Sequence, residues 1–285
     1  MIPQEFEYFA PPTLHDALEL LSRPGTRALA GGMSLVPLMK LRLAAPEIIV
    51  DLRRISSLRS IRREGEFLHI GAMVTHYELE SAPLIQLECP LLAATAAAIG
   101  DVQIRNAGTI GGSVAHADPA ADYPAALLAL EAKVQLTGPS GERELSFEDF
   151  LVDTFTTELE PGELVTAVLV PVEESGTGVH YQKHAQPASG FPMVGVAVRV
   201  RRQNGTISFA RAGVTGLSGK GYRARAVEDL LVGTAGAEAD FKKAAAVVAQ
   251  GIEASADIHA SAAYRAHLAR VSTERAIRAS LLKAD

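Results

Sequence analysis

Cysteine is nearly absent from this 285-residue chain, and so are long apolar runs and long basic ones. With Cys89 as the only thiol there is no internal disulfide, no cysteine-rich zinc site and no conventional iron–sulfur cluster, which takes about four thiolates. Cys89 precedes a proline and an apolar stretch, QLECPLLAATAAA, where a buried structural thiol is expected rather than a nucleophile. No segment approaches the roughly 20 apolar residues that span a bilayer. The opening MIPQEFEYFAPP also lacks the basic start and apolar run of a secretory signal, so the expected location is the cytoplasm. The net charge of -6 and the want of any Lys/Arg cluster argue against nucleic acid as a partner.

What is present is ordinary globular composition, with 48% hydrophobic and 21% charged residues. The length exceeds what one core usually serves, so two or three subdomains are expected. Thr13 to Leu21 has helical apolar spacing behind a capping threonine, and Pro24-Gly25 stops it. Arg27 to Ala30 reads as a strand, Leu35 to Leu41 as a helix and Glu47 to Leu52 as a buried strand, closing a small α/β unit near residue 53. A second unit opens with the strand FLHIGAMV and a helix near His76, and continues through an alanine-rich helix from Pro90 to Ile99. The strands Ala132 to Leu136 and Leu164 to Val170 complete it. From Val179 the pattern is strand-rich. Met193 to Arg202 and Thr206 to Thr215 flank Asn204-Gly205 as a hairpin, and helices over 226–231, 237–252 and 262–282 end the chain.

Two glycine turns carry the chemical signal. Ala30-Gly31-Gly32-Met33-Ser34 lies between a strand and a helix, where glycines let backbone N–H groups approach an anion such as a pyrophosphate. A tight turn with Ser34 as helix cap is the competing structural explanation. Asn106 to Ser113 (NAGTIGGS) offers a second set of amides and hydroxyls. Neither turn is GxGxxG with a downstream acid or GxxxxGK[ST], so neither a Rossmann nor a P-loop site is supported. In the following HADPAADYP, Asp118-Pro119 reads as turn chemistry and Asp122 as the cap of a proline-led helix, ahead of a metal or acid–base role for His116 and the two aspartates.

Taken together, AGGMSLVPLMKLRLAAPEIIVDL, IGAMVTHYELE and TIGGSVAHADPAADYPAALLALEA follow an order and spacing that resembles the FAD-binding medium subunit of molybdenum hydroxylases. That family contains aerobic carbon monoxide dehydrogenase and relatives of xanthine dehydrogenase. YQKHAQPASGFPMVGVAV and GKGYRARAVEDLL extend the resemblance over nearly the whole chain. It implies an α+β architecture: a two-part FAD-binding domain of the vanillyl-alcohol-oxidase type over residues 1–53 and 54–175, then a C-terminal domain of antiparallel sheet and helices over 176–285.

The resemblance assigns the FAD pyrophosphate to Ala30, Gly31, Gly32, Ser34 and Leu35, with Met33 where the family often has a polar residue. Thr109, Gly111, Gly112 and Ser113 form the second contact, and Ser113 replaces a frequent Asn. Asp122 is expected on the ribityl or phosphate side, Lys183 before the flavin-facing loop, and Phe191 against the isoalloxazine.

The chain supplies no cluster ligands of its own. The resemblance implies a [2Fe–2S] small subunit and a molybdopterin large subunit as partners, in a dimer of heterotrimers, with NAD, a quinone or oxygen as acceptor. Two other readings compete. One is a free-standing flavin oxidoreductase using His116, Asp118 or His184 for proton transfer, and the other is a non-catalytic module that keeps the fold as scaffold.

Overall fold

The computed structural model describes residues 2–284. The first fifth of the chain alternates short strands and helices: β1 (Glu7–Phe9), α1 (Leu14–Leu21), β2 (Thr26–Leu29), α2 (Leu35–Lys40) and β3 (Ile48–Asp51). Thr13 starts α1, its hydroxyl accepting the Asp16 N–H at 3.2 Å. The strands form a parallel sheet in the order β1-β3-β2. Ala17, Val50, Leu52, Ile55, Leu58 and Met73 pack beneath it.

Next come β4 (Ile61–Glu64) and β5 (Phe67–Gly71), then six helices in succession: α3 (His76–Ser81), α4 (Pro83–Glu88), α5 (Pro90–Ala97), α6 (Val102–Ala107), α7 (Ile110–His116) and α8 (Tyr123–Ala129). β6 (Lys133–Gly138), β7 (Gly141–Ser146), α9 (Phe147–Phe150), β8 (Leu151–Asp153), β9 (Thr156–Thr157) and β10 (Leu164–Pro171) follow. The order β4-β5-β10-β6-β7 makes an antiparallel sheet. Thr75 opens α3 with a reciprocal capping box to Glu78, which orients the helix carrying His76. Cys89 is fully buried between α4 and α5, and burial pushes its thiol up to about 12, so it is not a thiolate at neutral pH.

The remainder is β11 (Thr177–Ala185), β12 (Pro192–Gln203), β13 (Thr206–Thr215), β14 (Tyr222–Arg223), α10 (Arg225–Leu231), α11 (Glu238–Ala245) and α12 (Ala262–Leu281). The strands pair antiparallel in sequence order. Asn204 and Gly205 both take positive φ, 52° and 79°, so the β12–β13 turn has the twist a two-residue hairpin requires. Helix α11 ends at Ala245 rather than near residue 252, because the amides of Val247, Val248 and Gln250 bond three residues back and tighten the chain into turns. α12 lies on β11 and β12 closely enough that a Cβ on Gly178 would stand 1.9 Å from the Ser280 carbonyl oxygen.

The second and third sheets share a core. Every residue of α8 is buried, and Val179, Tyr181 and Ala197 belong to the same apolar cluster as Leu68, Ile70, Leu127 and Val168. A helix that is apolar all round has to be enclosed on all sides, and here it is enclosed by elements from both halves of the chain.

Candidate functional site

The first glycine turn leaves β2 and enters α2. Gly32 adopts φ 75°, which redirects the chain, and the backbone N–H groups of Gly31, Gly32, Met33, Ser34 and Leu35 have no acceptor among the described residues. Ser34 stands at the N-cap of α2 but makes no cap bond with its side chain, so the hydroxyl part of the structural explanation is not realised. Five successive donors, all at least partly exposed, form a concavity suited to an anion.

Gly31 sits where no other residue fits, since a Cβ there would meet the Ala107 carbonyl oxygen at 2.0 Å. The two glycine turns are therefore in contact, and a Cβ on Gly112 would likewise stand 3.4 Å from that of Ala30.

The second turn behaves differently from the expectation that its amides converge on phosphate. The N–H groups of Ile110 and Gly111 donate to Val74 and Ala72 carbonyls at 3.0 and 2.9 Å, and that of Ser113 to the Thr109 carbonyl at 3.0 Å. The Gly112 N–H donates to the Thr109 hydroxyl at 3.1 Å. This segment starts α7, and the helix has to pack on the β5–α3 connection, which uses those donors. What remains for a ligand is the Thr109 N–H, which has no acceptor among the described residues, and the hydroxyls of Thr109 and Ser113, together with the close approach that Gly112 permits.

Asp122 precedes α8 as expected, but its side chain makes no cap bond. The carboxylate instead accepts the Tyr181 hydroxyl at 2.7 Å and the Lys183 ammonium at 2.8 and 3.0 Å on its two oxygens. Lys183 also donates to the Ala98 carbonyl at 2.8 Å. Burial raises the Asp122 carboxyl to about 6, against the lowering effects of Lys183 and Tyr181. Asp122 and Lys183, predicted separately as cofactor residues, are thus each other's partners.

Tyr181 was not foreseen, although a Tyr-x-Lys pair on a strand places both side chains on one face. His76 was not foreseen either. Its Nδ1 is 2.9 Å from the Tyr123 hydroxyl, its amide bonds to Gly108 at 3.0 Å, and burial, aided by Arg105, lowers its pKa to about 4.

Phe191 ends a loop, 186–191, closed by its own bonds, and Gly190 rests on Gly100. Its ring is 48% exposed and Met33 is also exposed, so neither is bound into a core. Asp118 accepts the Ala120 N–H at 2.8 Å, ordinary turn chemistry. His116 stands beside Phe155 at the end of α7.

Two family descriptions cover almost all of this architecture. Residues 4–173 match the FAD binding domain in molybdopterin dehydrogenase, and residues 179–280 match the CO dehydrogenase flavoprotein C-terminal domain. The chain belongs to the FAD-binding medium subunits of the molybdenum hydroxylase family.

Among relatives of this medium-subunit family, the carbon monoxide dehydrogenase medium chain of Hydrogenophaga pseudoflava is 38% identical over 98% of both chains. The glyceraldehyde dehydrogenase medium chain of Sulfolobus acidocaldarius is 34% identical over 98% of this chain and 99% of its own. Of solved structures, carbon monoxide dehydrogenase from Hydrogenophaga pseudoflava superposes with a TM-score of 0.96 at 39% identity, covering all of both chains. Quinoline 2-oxidoreductase from Pseudomonas putida gives 0.95 at 32% identity over 99% of each. The fold is accordingly that of the carbon monoxide dehydrogenase medium chain, with a C-terminal antiparallel sheet, and the chain is an FAD-binding oxidoreductase subunit. The five free N–H groups of residues 31–35 fit the pyrophosphate of such a cofactor.

Proposed function

We propose that this chain is the electron-transfer subunit of a molybdenum hydroxylase complex, receiving electrons from [2Fe–2S] clusters on a partner subunit and delivering them to a terminal acceptor. The row of unpartnered N–H groups at residues 31–35 carries the reading, because it is a built anion cradle with no structural use for its donors. When bound, FAD supplies one-electron exchange with metal clusters and two-electron exchange with an organic acceptor. The protein's share is binding and orientation. Gly31 to Leu35 would hold the pyrophosphate, with the hydroxyls of Thr109 and Ser113, the Asp122–Lys183–Tyr181 group and the exposed Phe191 as the residues that would meet the rest of the cofactor.

The chain has one cysteine, so the clusters belong to a separate small subunit, and the molybdopterin to a large one, assembled as a dimer of heterotrimers. Relatives named for carbon monoxide and glyceraldehyde dehydrogenases lie at similar identity, which supports a medium chain that does not select the substrate. The acceptor is NAD, a quinone or oxygen. Among the described residues no helix is long and apolar enough to cross a membrane, and we place the complex in the cytoplasm. We divide the chain into working units at residues 53 and 175.

The test is purification of the chain alone and with its neighbouring gene products, with the visible spectrum recorded and the released cofactor identified. FAD release, iron–sulfur absorption only in the complex, and flavin reduction on adding the complex's substrate are expected. A complex whose flavin stays oxidised while its clusters are reduced would end the relay reading.

A further inference from the structure

Helix α7 starts within the second glycine turn and runs for about two turns to His116, and one face of it is open. Ile110, Gly111 and Val114 are buried, whereas Gly112, Ser113 and His116, at +3, +4 and +7 from Thr109, are only partly buried and share a face. That face looks toward the first turn, as the approach of Gly112 to Ala30 requires. His116 lies four residues beyond Gly112, about 6 Å along the helix axis, within reach of a dinucleotide that starts at the cradle.

The imidazole has one aromatic neighbour among the described residues. The Phe155 ring lies 5.0 Å from it, centroid to centroid, tilted by 43°. Phe155 takes φ 52°, a conformation that bulky residues rarely adopt. Its N–H donates to the carbonyl of Ala117 at 3.1 Å, and Ala117 is itself left-handed at φ 49°. The Thr154 hydroxyl donates to the Gly219 carbonyl and the Lys220 ammonium to the Leu151 carbonyl, each at 2.8 Å, pinning the hairpin that carries Phe155. The Phe155 ring is 56% exposed, so burial of the ring does not account for holding it in this conformation.

We propose that His116 is a further FAD-contacting residue, donating an imidazole N–H to an oxygen of the cofactor along the α7 face, and that Phe155 is the positioning residue that fixes its ring. The proposal rests on the FAD reading of the site. It adds a donor that lies outside both glycine turns.

The test is FAD titration of the deflavinated full chain in its complex, followed by flavin fluorescence, together with NMR of 15N-histidine-labelled protein. His116→Ala and His116→Phe are expected to weaken FAD binding about tenfold, the value of one hydrogen bond to an ionised group. His116→Phe keeps the stack on Phe155 and so separates a donor role from packing, and it carries the test if His116→Ala does not fold. Phe155→Ala is expected to weaken binding about threefold, Phe155→Tyr to restore it, and the His116 ring nitrogens to shift when FAD is added. If His116→Phe binds FAD as tightly as the unsubstituted chain and the ring nitrogens do not move, the proposal is overturned. If the unsubstituted chain binds no FAD, the cofactor reading fails with it, and that failure is distinguishable because it precedes any substitution.

Discussion

A single missing Cβ holds the two glycine turns together. Gly31→Ala would drive a methyl into the Ala107 carbonyl, 2.0 Å away on rigid backbone, and separate the walls of the cradle. We expect FAD affinity to fall at least tenfold and stability by about 1–3 kcal/mol, the usual range for overpacking. Gly65→Ala is the control: its φ of 61° is also positive but nothing lies within 4 Å, so it should lose some stability and no FAD affinity, as read by melting and titration.

Two buried titrating groups act in opposite directions. His76 has its pKa lowered to about 4 in the folded state, so stability is full above the unfolded value near 6.5 and is lost as pH falls toward 4. Asp122 has its pKa raised to about 6, so the folded state holds its proton more tightly and stability is lost as pH rises from about 4 through 6. Chemical denaturation between pH 4 and 6.5 should therefore show Asp122→Asn losing stability on acidification more steeply than the native chain, and His76→Phe less steeply.

At the scale of elements, the contact between β12 and the end of β10 depends on one buried charge pair. Arg199 donates to Glu173 at 2.8 and 2.7 Å and to the Ala129 carbonyl at 2.9 Å, and both charged side chains are almost wholly buried. Arg199→Ala would leave Glu173 buried without a partner and is expected to lower stability by about 3–5 kcal/mol. Replacing both, Arg199→Met with Glu173→Met, should lower it by much less, because no orphaned charge remains. Urea unfolding of the three proteins decides this.

The local code of most elements was legible. The capping threonine of α1, the Asn204-Gly205 hairpin and the apolar strand β10 each depend on residues within a few positions of one another. Helices α6 and α7 were not legible, because glycines and an asparagine mask a helix that is stabilised by packing against the β5–α3 connection.

For the whole molecule, α8 is the element that decides how independent the parts are. It is buried against β12, β13 and β14 on one side and α5 and α7 on the other, so a cut near residue 175 leaves it uncovered. A fragment of residues 1–175 would expose that helix and the apolar faces around it. We expect it to be aggregated, or compact with weak tertiary packing, by gel filtration and near-UV circular dichroism. The full chain should instead unfold residues on both sides of position 175 in one transition. FAD at a hundredfold excess over its Kd should raise stability by about 2.7 kcal/mol.

By itself the sequence determined the secondary elements with local signals and the family, because strand-to-helix glycine turns and helix caps are short-range chemistry. The tertiary structure alone decided which donors in those turns remain free. Gly31 to Leu35 keep theirs, while Ile110 to Ser113 give theirs to Ala72, Val74 and Thr109. It likewise decided that Asp122 is met by Tyr181 and Lys183, residues about sixty positions away. A hydrogen-bond donor is available to a ligand only when no acceptor lies nearby, and what lies nearby is set by packing between distant segments, which no local pattern encodes.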